Sequence, residues 1–180
     1  MADKLSKSNQ HLDKDDIAEM FLYRKKSLKM FFSNHNPDFS STFLGLTPTE
    51  LKEELEYHLS EIEKDACLNL LASIEAIFRL DYAIRCEEKD KAKISRKFRS
   101  LFAEYQYRIP LEEEIFEEWK KVSGIKTSTI SFLKGAFKYR HWLAHGRYWT
   151  LKAGKKQYDF YELYNLATEL DTFPFKTNNY

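Results

Sequence analysis

The chain reads as runs of helical periodicity separated by short polar breaks. Residues 1–15 are polar and read as a frayed tail. Ile17 to Phe32 has mixed helical spacing with a basic middle and reads as a helix. SNHNPDFSST, residues 33–42, is turn chemistry, because Asn, Pro, Asp and Ser all compete with regular structure. Thr47-Pro48-Thr49-Glu50 then spells a capping box with proline at the first helical position. Behind it Leu51, Leu55, Leu59, Ile62, Ala66, Leu70, Ile77, Leu80 and Ile84 recur at sums of three and four, the stripe of an amphipathic helix. No Gly or Pro intervenes before Glu88, so one helix of about 40 residues, about 60 Å long, fits the pattern. A kinked pair fits it as well.

Lys91 to Tyr105 is a shorter basic helix. Pro110 opens another, LEEEIFEEWKKV, whose acids come first and lysines last, as the helix dipole prefers. Ser123-Gly124 ends it. Ser128 to His145 is helical up to Gly146. RYWTL and QYDFY then flank Lys152 to Lys156 as a short hairpin or an ordered loop. Asp159 caps a last helix to about Leu170. The pattern predicts an all-α fold of five to seven helices with no repeat and no linker. Residues 1–46 form a tail and accessory helix, 47–171 the helical domain and 172–180 a C-terminal tail.

Composition narrows the function. With 180 residues, 43% hydrophobic and 32% charged, the chain can bury a real core. No window resembles a membrane span, and the polar N-terminus has no apolar signal core, so a cytoplasmic location is expected. Cys67 and Cys86 make neither a disulfide framework nor a thiolate metal site. Five glycines leave little room for phosphate loops, and neither the dinucleotide fingerprint nor the P-loop motif is present.

The net charge of +1 hides a segregation. Between Trp119 and Tyr158 there is no acid. The stretch holds Lys120, Lys121, Lys126, Lys134, Lys138, Arg140, Arg147, Lys152, Lys155 and Lys156, interleaved with Tyr139, Trp142, Tyr148 and Trp149. Glu50 to Asp65 is conversely acidic. Cations for phosphates with flat rings for bases suit a single-stranded nucleic acid; a solvated lysine face over core aromatics has the same composition.

Ser128 to Trp149 carries the candidate chemistry. Its stripe of Ile130, Leu133 and Phe137 continues into Arg140, His141, Ala144 and His145. A buried unpaired charge costs several kcal/mol, so these groups are either paired internally or line a cleft or interface. His141 and His145 have the i, i+4 spacing of two zinc ligands. Trp142 replaces the glutamate of a metalloprotease motif and no third ligand has good spacing, so no metal is expected. There is no nucleophile elbow, and both cysteines lie in the long helix. RNA, however, carries its own nucleophile, the 2′-hydroxyl. A histidine can move its proton, and an arginine can bind the phosphate and its developing charge. A helix end, where cations complement the dipole, is the structural alternative for Arg140 and His145.

Arg140-His141-Trp142-Leu143-Ala144-His145-Gly146 resembles the arginine–polar–x-x-x–histidine motif of the HEPN superfamily. The likeness covers roughly Thr47 to Leu170, including the residues after the motif. It implies an up-and-down helical bundle, commonly a homodimer with two motifs facing one cleft. Many members are metal-independent endoribonucleases of toxin–antitoxin, phage-defence or CRISPR systems. Carried over, Arg140 and His145 are catalytic and His141 takes the polar supporting position. Glu75, in SIEAIFR, matches an acidic position of some members; a salt bridge to Arg79 at i+4 is its structural alternative. Some family toxins carry a tyrosine two residues after the motif histidine, where an antitoxin nucleotidyltransferase can modify it. Here Tyr148 stands three residues on.

The expected function is cleavage of RNA without a cofactor, leaving 2′,3′-cyclic phosphate and 5′-hydroxyl ends. Lys138, Arg147, Tyr148, Lys152, Lys155 and Lys156 would hold the RNA, with a possible antitoxin or regulatory protein as partner. Two other classes use the same features. A non-catalytic HEPN-type module would bind RNA, nucleotide or protein in the same cleft, and salt-sensitive binding without cleavage would mark it. A scaffold dimer would use the long acidic helix as its contact.

Overall fold

A computed structural model describes residues 12–88, 90–150 and 157–179. All regular structure among them is helical, in seven α-helices. α1 spans Lys14–Phe31, and Asp13 caps it, its Oδ1 accepting from the Asp15 and Asp16 amides at 2.8 Å each. α2, Phe39–Thr42, lies in the stretch expected to be only turn. The Asn36 and Ser33 side chains do cap backbone there, but Phe39 and Phe43 pack ring to ring at 5.2 Å and draw one helical turn out of it.

α3 is Pro48–Glu87, one continuous 40-residue helix with both capping-box hydrogen bonds in place. No kink divides it, since nothing in its interior removes an amide. α4 is Lys93–Tyr105. The helix expected after Pro110 is shorter and less regular than its pattern: a π-helical turn, Leu111–Ile115, leads into α5, Phe116–Trp119. The Glu114 and Ile115 amides both turn back to the Pro110 carbonyl, which widens the first turn. Beyond Trp119 the chain continues in isolated turns toward Gly124, whose φ of 88° suits glycine. α6 is Thr127–Ala144 and α7 is Phe160–Leu170, the latter with its own Asp159–Glu162 capping box. Between them neither flank of the suggested hairpin is a strand: residues 147–150 are irregular, and Phe160 and Tyr161 open α7.

α3 is the spine on which α1, α4, α6 and α7 pack. Its buried residues begin only at Ala66. Around Trp119 an aromatic cluster gathers Phe78, Phe116, Phe173 and Phe175; the Trp119 ring lies 5.6 Å from Phe173 and 4.7 Å from Phe175. Phe173 and Phe175, in the segment read as a tail, are buried. Asp81 and Arg85 fix that segment. Both are buried and joined at 2.8 Å; Arg85 also donates to Ser95 Oγ and the Pro174 carbonyl, and Asp81 accepts the Lys176 amide at 2.7 Å. The pair is tolerated inside because nearly every lone pair and proton has a partner.

Candidate functional site

Ile130, Leu133 and Phe137 hold α6 to the core, and the stripe leaves the core at Arg140. Arg140 is half-buried, whereas His141, Ala144 and His145 are exposed. Glu75 of α3 meets the guanidinium here, its Oε2 3.0 Å from Arg140 Nη2. Its other oxygen accepts from Arg79 Nε at 2.7 Å, so the local salt bridge and the link to the motif coexist in one carboxylate. Arg140 Nε is buried without a partner, and Nη1 makes no hydrogen bond to the described residues. Of the two outcomes open for the polar end of the stripe, the arginine is paired internally and the histidines face outward.

The two imidazoles lie 4.2 Å apart, centroid to centroid. The Trp149 ring stands 5.7 Å from His141 and 6.5 Å from His145. Trp149 is tied back to the helix, because Trp142 Nε1 donates to its carbonyl at 2.7 Å. Tyr148 packs edge-on against Trp149 at 4.6 Å and is 84% exposed. Rings and histidines thus share one end of α6.

That end is fixed by its termination. The Gly146 amide returns to the Leu143 carbonyl and the Arg147 amide to that of Trp142, a Schellman motif with Gly146 at φ 76°. Arg147 follows at φ 58°, left-handed for a side-chain-bearing residue, at a cost of about 1 kcal/mol. A two-pronged ion pair offsets it: Arg147 Nη1 and Nη2 each lie 2.7 Å from an oxygen of Glu61 on α3. Arg147, with Lys64 beside it, draws the Glu61 carboxyl down to about 2. Arg147 is therefore a brace between α3 and the turn after α6.

Most of the described cations of the acid-free stretch pair with acids outside it. Lys121 pairs with Glu118 and Lys134 with Glu117, both at 2.6 Å; Lys120 also reaches Glu117, and Lys126 reaches Glu169. Together with Arg140 and Arg147 that leaves Lys138, exposed on α6, as the one cation of the stretch without an ion pair among the described residues. Lys152, Lys155 and Lys156 lie outside the described residues. A cleft of about 350 Å³ beside Tyr139 is edged by Glu63, Asp159 and Glu162 against one cation, Lys64, which is already paired with Glu61, a poor lining for phosphate.

One residue the sequence did not single out belongs here. Glu112, on the π-helical turn, is half-buried with its charge opposite Lys138, Lys134 and His141, and burial pushes its carboxyl up. The run of three glutamates after Leu111 carried no sign of which would face α6, since the wide turn decides it. Among the described residues no three His, Cys, Asp or Glu side chains gather as a metal site, and no helix is long and apolar enough to cross a membrane. Searches of family models, curated proteins and solved structures return no match to this chain.

Proposed function

We propose that the chain is a metal-independent endoribonuclease of the HEPN kind, working as a homodimer on a single-stranded RNA. The observation that carries the reading is the Glu75–Arg140 pair. It holds an arginine at the rim of the bundle, with Nη1 uncommitted among the described residues, at the helix end that displays two histidines 4.2 Å apart. Arg140 binds the scissile phosphate through Nη1 and stabilises the charge that builds on its oxygens. His145 takes the 2′-hydroxyl proton as the 2′-oxygen attacks phosphorus. The bond to the 5′-oxygen breaks, and a protonated imidazole, His141 or its counterpart across the dimer, returns a proton to that oxygen. The products end in 2′,3′-cyclic phosphate and 5′-hydroxyl. Tyr148 offers its exposed ring to a base, and Lys138 the free charge to a neighbouring phosphate. Glu112 adds a negative charge on the side of Lys138 and His141. Toxin–antitoxin or phage-defence biology, with a protein antitoxin or regulator, is part of the same proposal, as is a cytoplasmic site of action.

A second reading draws on the same pair. Glu75 cancels much of the charge of Arg140, and most cations nearby are already matched, which suits a module that binds a nucleotide or RNA without cutting it. Cleavage of an end-labelled RNA pool in excess EDTA separates the two. Wild type is expected to cut, leaving cyclic-phosphate ends, while Arg140→Ala and His145→Ala do not. Intact RNA with all three proteins, alongside salt-sensitive binding, selects the binding module. Equal cutting by all three rejects the motif as the site.

A further inference from the structure

A cavity of about 540 Å³ opens between the start of α4 and the turns that follow α5. It shares no lining residue with the end of α6. Its size lies within the roughly 300–1,000 Å³ of small-molecule sites. Both walls are held from the core. On one side the buried Ser95 hydroxyl accepts from Arg85 and donates to Asp90, and Phe98 is fully buried, which fixes the first turns of α4. On the other, the Val122 amide returns to the Trp119 carbonyl and the Ile125 amide to that of Val122, behind a Trp119 ring packed on Phe173 and Phe175. The walls are therefore preset, and an occupant loses little affinity to ordering them.

The lining is apolar and the rim cationic. Ala92, Ile94 and Val122 line the cavity, and lysine stems add methylenes to them. Lys93, Lys97 and Lys121 stand around it against one acid, Glu118. That acid is committed: its Oε1 lies 2.6 Å from Lys121 Nζ, and its side chain is 11% exposed. Lys93 and Lys97 are exposed and have no ion pair among the described residues. They share one face of α4 at i and i+4, where like charges oppose each other, and the first turn of the helix carries no acid to offset them. The combination selects an occupant. A bare inorganic anion makes no use of the apolar walls, a neutral apolar molecule gains nothing from the two lysines, and a cation is repelled.

We infer that this cavity binds an anionic amphiphile, a small molecule with a carboxylate, sulfonate or phosphate head on an aromatic or acyl body. The head lies between Lys93 and Lys97, and the body packs on Ile94 and Val122. This inference does not rest on the ribonuclease reading and survives or fails separately. Fluorescence titration of the full chain with anilinonaphthalene sulfonate, a probe of this class, tests it. Wild type is expected to bind the probe with micromolar affinity, moving the amide chemical shifts of residues 92–97 and 121–123. Lys93→Glu combined with Lys97→Glu changes only exposed side chains. It is expected to keep the helical circular dichroism spectrum and to raise the Kd at least about tenfold. Decanoate is expected to displace the probe, whereas decanol and acetate at the same concentration leave it bound. A wild type that does not bind the probe overturns the inference. Unchanged affinity in the double variant, or shifts confined to other residues, overturns it by placing the probe elsewhere. Displacement by decanol as effective as by decanoate overturns the role of the lysines, and equal displacement by acetate overturns that of the apolar walls.

Discussion

Replacing Glu75 by glutamine strips the charge from a carboxylate shared by two arginines. The amide can accept from one of them but must present its NH2 group to the other. One charge-assisted hydrogen bond, to Arg79 at 2.7 Å, and one ion pair, to Arg140 at 3.0 Å, are weakened. Such contacts contribute about 1.5–3 kcal/mol each when shielded. Here the arginine side chains are 39% and 34% exposed, which pulls each toward the roughly 0.2–1 kcal/mol of a surface pair. The expected loss is about 1–2 kcal/mol, a fall in Tm of roughly 2–8 °C for a chain of this size. Urea denaturation of Glu75→Gln, Arg140→Met and the double variant measures the Arg140 share directly. A coupling of at least about 0.5 kcal/mol is expected between the two sites. Purely additive single effects would show that solvent has dissolved the contact, and the account of how Arg140 is positioned would be wrong. If Glu75→Gln also lowers RNA cleavage more than it lowers stability, its role in holding Arg140 extends to the reaction.

Acid should loosen the brace behind the motif. The Glu61 carboxyl sits below its ordinary value in the folded chain, so its contribution is complete above about pH 4.5 and is lost as pH falls toward 2. The stability gap between wild type and Glu61→Gln in urea melts is expected to shrink from about 1–2 kcal/mol at pH 6 to near zero at the acid end; a constant gap refutes the assignment. Asp81→Ala leaves the Arg85 charge buried and alone and is expected to cost about 3–5 kcal/mol by the same melts. A loss under 1 kcal/mol would mean that water reaches Arg85. Gly135→Ala should destabilise by about 1–3 kcal/mol, although alanine is the better helix former, because a Cβ there runs into the Tyr158 hydroxyl. A gain in Tm would show that Tyr158 moves aside freely.

The helices were legible wherever their signals are local. Thr47 with Glu50 and Asp159 with Glu162 each encode a helix start within four residues, and both boxes form. Gly146 encodes a stop, and the chain stops there. The unbroken stripe from Leu51 was ambiguous between one helix and two, and the absence of any interior breaker decided it. What stayed hidden is long-range. The stretch after Trp119 looks like an open cationic face because counter-charges of its described cations lie outside it, Glu61 standing 86 positions from Arg147 and Glu117 17 positions from Lys134. The inward turn of Glu112 depends on a π-helical turn that periodicity does not encode. Phe173 and Phe175 follow the last periodic segment, so no pattern assigned them to the core that holds them.

The placement of those two phenylalanines has a consequence for synthesis. Trp119, Phe78 and the Arg85–Asp81 couple all wait for residues 173–176 to complete their surroundings. A nascent chain that has exposed α3 through α6 still has an open core and two under-partnered buried charges, which water must go on solvating. Closure is thus postponed until that segment has left the ribosome, and whatever the end of α6 does, it does only in a chain translated at least that far.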